Sequence, residues 1–152
     1  MELILLGALP PTETHEFAVD PGVLEQGVST LSTYDLRGVA GHYRDDVLFD
    51  ANVPLWRFQL QGPEAILEMV QEEFGDIADL TVSALRASYA DDLATVEVAV
   101  GHGSGDQARH WREVHLLRLE GEQIIEHTIY CTGVWDPATT TKQAAEAPMV
   151  RP

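Results

Sequence analysis

The chain is predicted to be an α+β domain in which helices come first and an antiparallel meander follows. Three observations carry that expectation. Residues Ala108 to Asp136 read as one long β-hairpin, two runs rich in Leu, Ile, Val and aromatic residues flanking the polar turn Glu120-Gly121-Glu122-Gln123. Two more strands, about Leu80–Ala90 and Leu93–Gly101, precede it and turn at Asp91-Asp92. Segments with helical spacing are confined to the first half of the chain.

Taken in order, residues 1–19 form an arm. Its apolar start is short, carries Glu2 rather than a positive charge and ends at two prolines, which does not fit a secretory signal. The domain is expected over 20–136. Asp20-Pro21 suits a helix N-cap and first turn, and Val23, Leu24, Val28 and Leu31 follow on one face. Asp35 can cap a second, shorter helix with Leu36, Val39, Ala40 and Tyr43 on one side; Gly38 and Gly41 leave it dependent on packing. Asp45-Asp46 turns into a strand at Val47–Ala51, and a loop with Pro54 and Trp56 follows. Gly62-Pro63-Glu64 opens a third helix bearing Ile66, Leu67, Met69, Val70 and Phe74. The Gly-rich turn 102–106 leads into the hairpin. Residues 137–152 have no apolar period and are expected to be a flexible tail.

At 152 residues, 45% hydrophobic and 22% charged, this is one ordinary globular domain. Its 25 acidic and 9 basic residues give a net charge of −16, which argues against nucleic acid and anionic membranes as partners. No run approaches the ~20 apolar residues of a membrane span. The single Cys131 excludes an internal disulfide and fits a reducing cytoplasm. Gly101–Gly105 joins two strands rather than opening a helix, so no phosphate-binding loop is present.

Tyr43-Arg44-Asp45-Asp46-Val47, Gln61-Gly62-Pro63-Glu64-Ala65-Ile66, and Glu120-Gly121 followed by Ile124-Ile125-Glu126-His127 together resemble the NTF2-like superfamily, and within it the SnoaL-like polyketide cyclases and their ketosteroid isomerase and scytalone dehydratase relatives. The resemblance covers roughly 20–136. It implies a cone: three N-terminal helices packed on a strongly curved, mixed but mostly antiparallel sheet around a cavity for a small apolar ligand. It also implies acid–base chemistry without cofactor or metal (cyclisation, isomerisation or dehydration of a carbonyl or polyketide-like molecule), with a non-catalytic ligand-binding or dimeric accessory protein as the alternative. Asn52-Val53-Pro54 resembles the epoxide hydrolase branch, but that branch's carboxylate on the last strand falls at Ile129, which argues against an epoxide hydrolase of that type.

Strand alternation places Trp111, Glu113, His115 and Leu117 on one face, and Arg112, Val114, Leu116 and Arg118 on the other. Arginines are costly to bury, so His115 is expected inward; the family register puts His127 in the cavity too. Both are candidate proton carriers, since imidazole titrates near neutral pH. Asp50, reached through the family's first-strand carboxylate with a one-residue shift, is the candidate base or orienter. Tyr43, Asn52, Trp56, Phe58, Trp111, Glu113 and Ile129 are the candidate ligand contacts. The competing reading is that His115 and His127 bond only each other or Tyr43 inside a core. Two histidines and Glu113 also match a metal set on paper, but the spacing is not diagnostic and no metal is expected. Cys131 reads as a small buried hydrophobe. The apolar outer face of the hairpin suggests a homodimer.

Overall fold

A computed structural model describes residues 36–74 and 80–147. The expected arm and first helix lie outside those residues. Helix α1, Leu36–Ala40, is a single turn continued by the bonds of Gly41 N–H to the Gly38 carbonyl and of His42 N–H to that of Val39. Tyr43, expected on that helix, instead begins strand β1, Tyr43–Val53.

Strand β2, Trp56–Gln61, folds back on β1 in a tight hairpin through Pro54 and Leu55. A loop was expected there, because Pro54 and six residues make a weak strand signal; the alternation of Phe58 and Leu60 with Arg57 and Gln59 is what the sheet uses. Helix α2, Pro63–Phe74, starts as the Gly-Pro-Glu signal predicts and buries Ile66, with Met69 and Val70 packed beside it. Strands β3 (Thr81–Ala90), β4 (Leu93–His102), β5 (Arg109–Glu120) and β6 (Gln123–Cys131) form the meander. Its turns need a left-handed backbone at Asp91 (φ 53°) and Gly121 (φ 61°), which Asp tolerates and Gly supplies without strain.

The six strands run in the order β2-β1-β6-β5-β4-β3. Only β1 and β6 are parallel. The first long strand is therefore inserted beside the last, and the sheet is mixed, open and curved. Its inner face is a continuous set of rows. Phe49, His127, Leu117 and Ala94 lie side by side across four strands, and Ala51, Ile129, His115 and Val96 form the next row. Each of these eight residues is buried. The inward placing of His115 and Glu113 and the outward placing of Arg112 and Arg118 match the alternation in the sequence.

The C-terminal segment differs from its expected flexible form. Pro137–Glu146 make helix α3, none of whose residues is buried. Local signals explain it: Asp136 caps the N-terminus by accepting from Thr139 N–H at 2.7 Å, and a proline stands in the first turn. No helix among the described residues is long and apolar enough to cross a membrane.

Candidate active site

The inner face of the sheet and α2 enclose a cavity of about 670 Å³. Phe49, Phe58 and Ile129 line its wall, Trp111 and Glu113 its floor, and Trp56, 70% exposed, its mouth. Of the titratable groups only Glu113, Glu73 and Cys131 face it among the described residues.

Behind Glu113 runs a line of hydrogen bonds into the core. Trp111 Nε1 donates to Glu113 Oε1 at 3.1 Å. Glu113 Oε2 meets His115 Nε2 at 3.1 Å, His115 Nδ1 meets His127 Nε2 at 3.0 Å, and His127 Nδ1 meets the Tyr43 hydroxyl at 2.6 Å. His127 and His115 are diagonal neighbours across the β5–β6 pair, where the register sets Leu117 against His127 and Ile129 against His115. That is within reach for two rings on one face. Both histidines are fully buried. Every ring nitrogen has a partner, which removes the cost of burying four polar atoms.

The direction of the line follows from its inner end. Burial pushes the Tyr43 phenol well above its usual range, so it keeps its proton. His127 Nδ1 is the hydroxyl's hydrogen-bond partner among the described residues, and with Tyr43 as the donor the inner end of the line is fixed. Burial, with His115 beside it, holds His127 well below the ordinary imidazole range and therefore neutral. A neutral ring that accepts at Nδ1 carries its proton on Nε2. His127 thus donates to His115, whose Nε2 faces Glu113. The line from Tyr43 through both histidines ends on one carboxyl group.

The sequence-derived candidates divide accordingly. Trp56, Phe58, Trp111, Glu113 and Ile129 line the cavity. His115, His127 and Tyr43 are not lining residues; they lie one layer behind it, joined to it by hydrogen bonds through Glu113 and by the packing of His127 on Phe49. Asp50 and Asn52 are on the opposite face of β1, since β1 alternates and Phe49, Ala51 and Val53 are the cavity residues. There Asp50 accepts from Arg57 Nε at 2.9 Å and Gln59 Nε2 at 2.9 Å, and Asn52 stands beside it. The Arg57 guanidinium, then Gln59, bring the Asp50 carboxyl down to about 2. A base at that position has no access to a ligand and almost no basicity.

Glu113, His115 and His127 do not converge on a point, because one ring stands between the other two groups; among the described residues no group of three such side chains is placed to hold a metal. The sequence reading missed Cys131, Met69 and Glu73 as cavity residues. Burial pushes the Cys131 thiol up, and the nearby Glu113 charge adds to this, so it is a protonated wall group. Only its position two residues beyond Ile129 on the same strand face could have placed it there.

Among curated proteins none matches the chain. Solved structures share the fold. A protein described as a SnoaL-like polyketide cyclase from Jannaschia sp. CCS1 superposes with a TM-score of 0.61 at 13% identity, covering 84% of this chain and 94% of that one. A protein described as a ketosteroid isomerase from Kribbella flavida gives 0.60 at 16% identity, covering 86% and 89%. An LEH-like epoxide hydrolase from M. tuberculosis gives 0.54 at 12% identity, covering 72% and 80%. At these identities the likeness is one of fold. Residues 24–127 match the model of the SnoaL-like domain, most of the chain, and the protein therefore belongs to the SnoaL-like family.

Proposed function

We propose that this protein is a cofactor-independent acid–base enzyme, a cyclase, isomerase or dehydratase, acting on a small, mostly apolar carbonyl compound in the cone cavity. The observation that carries the reading is Glu113. Among the described residues it is the one buried carboxylate that lines the cavity, and it is held in place from behind by Trp111 and by the Tyr43–His127–His115 line.

A carboxylate has several acceptor sites, so one oriented by Trp111 and His115 can also accept from a ligand. It can take a proton from the carbon next to a carbonyl and return it to another atom of the same molecule, leaving both enzyme and proton count unchanged. Walls of Phe49, Phe58, Trp111 and Ile129 keep water from the reacting centre. Glu113 is thus the catalytic residue. His115, His127 and Tyr43 are positioning residues; they orient its two oxygens and fix where its charge sits.

The test needs no natural substrate. Wild-type protein should catalyse hydrogen–deuterium exchange at the α-carbon of 1-cyclohexylethanone, followed by proton NMR. Glu113→Gln should lower that rate while keeping the fold by circular dichroism. Equal rates in both proteins refute Glu113 as the base. The burial of both histidines away from the ligand favours one second reading, a passive binding protein, and binding of the ketone with no exchange would establish it.

We also propose a homodimer. On the outer face of β5 and β6, Val114 and Leu116 are only half-buried and Tyr130 is 51% exposed. Light scattering should give twice the chain mass; a monomer mass at micromolar concentration contradicts it.

A further inference from the structure

Among the described residues the cavity lining is apolar, aromatic and anionic, with no fixed positive charge. Four aromatic rings face it, from Phe49, Trp56, Phe58 and Trp111. Two carboxylates do as well: Glu113 at the floor, and Glu73 near the end of α2, which is exposed and has no ion pair among the described residues. No lysine, arginine or histidine lines the cavity among those residues.

The rest of the chain has little to add. Of nine basic residues, Arg44, Arg57, Arg86, Arg112, Arg118 and Lys142 are each paired with a carboxylate that is not a cavity residue. A seventh, Arg109, is bonded to backbone carbonyls near the Gly-rich turn. The remaining two, Arg37 and Arg151, have side chains outside the described residues. Among the described residues, a ligand carrying a carboxylate or phosphate would meet two like charges and no cationic side chain in this cavity, on a chain of net charge −16.

A cation meets the opposite situation. Aromatic faces attract ammonium groups, most of all where water is partly excluded, and carboxylates complete the shell. We propose that the ligand of this cavity is a protonated amine on an apolar body: the ammonium lies at the mouth against Glu73 and Trp56, and the apolar body reaches the floor, where Glu113 meets its reacting end. This rests on the acid–base reading only in taking the same cavity as the ligand site. It narrows the substrate to an amine-bearing one and excludes acyl groups carried on phosphorylated carriers.

The experiment compares three probes of one shape on the full-length protein, by titration of tryptophan fluorescence and by calorimetry. N,N-dimethylcyclohexylamine is the cation, 1-cyclohexylethanone the neutral probe and cyclohexanecarboxylate the anion. The amine should bind about ten-fold more tightly than the ketone, a preference of the size that one partly desolvated cation–aromatic contact gives. The carboxylate should show no saturable binding. Glu73→Gln should remove most of the amine's advantage and leave ketone affinity within about two-fold, as expected when one charged contact is lost and the apolar contacts stay. Glu73→Asp should restore part of that advantage. A ketone that binds as well as the amine, saturable carboxylate binding, an amine preference that survives Glu73→Gln, or no amine binding would each overturn the proposal. Its failure is separable from that of the acid–base reading. Exchange on the ketone that depends on Glu113 without amine preference sinks the amine alone; amine preference with no exchange on the ketone sinks the acid–base step alone.

Discussion

Two buried carboxylates, Asp50 and Glu113, occupy opposite faces of one sheet, and they have opposite prospects. Asp50 is 7% exposed and Glu113 6%. Asp50 is clamped by a guanidinium and an amide from β2. Its charge is neutralised at close range, and its proton affinity is lowered to about 2. Glu113 is met instead by an indole and by an imidazole that stands at the end of a line from Tyr43. A carboxylate clamped by a guanidinium on the outer face is a structural tie; one that lines a cavity is placed to move a proton.

The largest expected effect breaks this comparison directly. Glu113→Gln should lower α-proton exchange ~100- to 10,000-fold, the usual contribution of a general acid–base group. Asp50→Asn should leave exchange within about two-fold, because its charge never meets the ligand. If instead Asp50→Asn abolishes exchange and Glu113→Gln does not, the assignment of the two faces is reversed.

A second effect concerns pH. His127 is held neutral in the fold, with its affinity for protons well below that of an exposed imidazole. Its folded-state value is thus depressed relative to the unfolded one. Below pH ~6.5 the unfolded chain gains a proton that the folded chain does not, so stability falls as pH drops, by at most ~1.4 kcal/mol per pH unit for one such group. Urea midpoints at pH 7.5 and 5.5 should show this loss in the wild type. His127→Gln should show less of it, since the amide does not titrate. An unchanged dependence would place the acid-sensitive group elsewhere.

The smallest effect is expected at the C-terminus. Helix α3 buries none of its residues, so a chain ending at Asp136 should keep its Tm within a few degrees. A larger fall would show that α3 docks on the domain.

The same contrast marks what was legible in the sequence. Alternation along β5 placed Trp111, Glu113 and His115 on one face correctly, because the period of two is local. Alternation reports a face and is silent on depth. It could not show that Glu113 reaches the cavity while His115 and His127 stand one layer back, since that depends on where the sheet bends and on what β1 contributes at Tyr43. Asp50 was expected inward through a family pattern shifted by one residue, and a one-residue shift exchanges the two faces of a strand. Strand β2 was hidden by Pro54 and by its own shortness, and with it went Arg57 and Gln59, the partners that close off Asp50. Helix α3 lacks an apolar stripe, so only its cap announces it.

The central claim is the hydrogen-bonded line from Tyr43 through His127 and His115 that ends on Glu113. Nitrogen NMR of protein labelled with ¹⁵N-histidine tests it most directly. At pH 7, His127 should appear as a neutral ring with the proton on Nε2, and Tyr43→Phe should disturb the His127 Nδ1 signal first, because the phenol is its donor. A proton on Nδ1 of His127, or a doubly protonated His127 at that pH, would contradict the account.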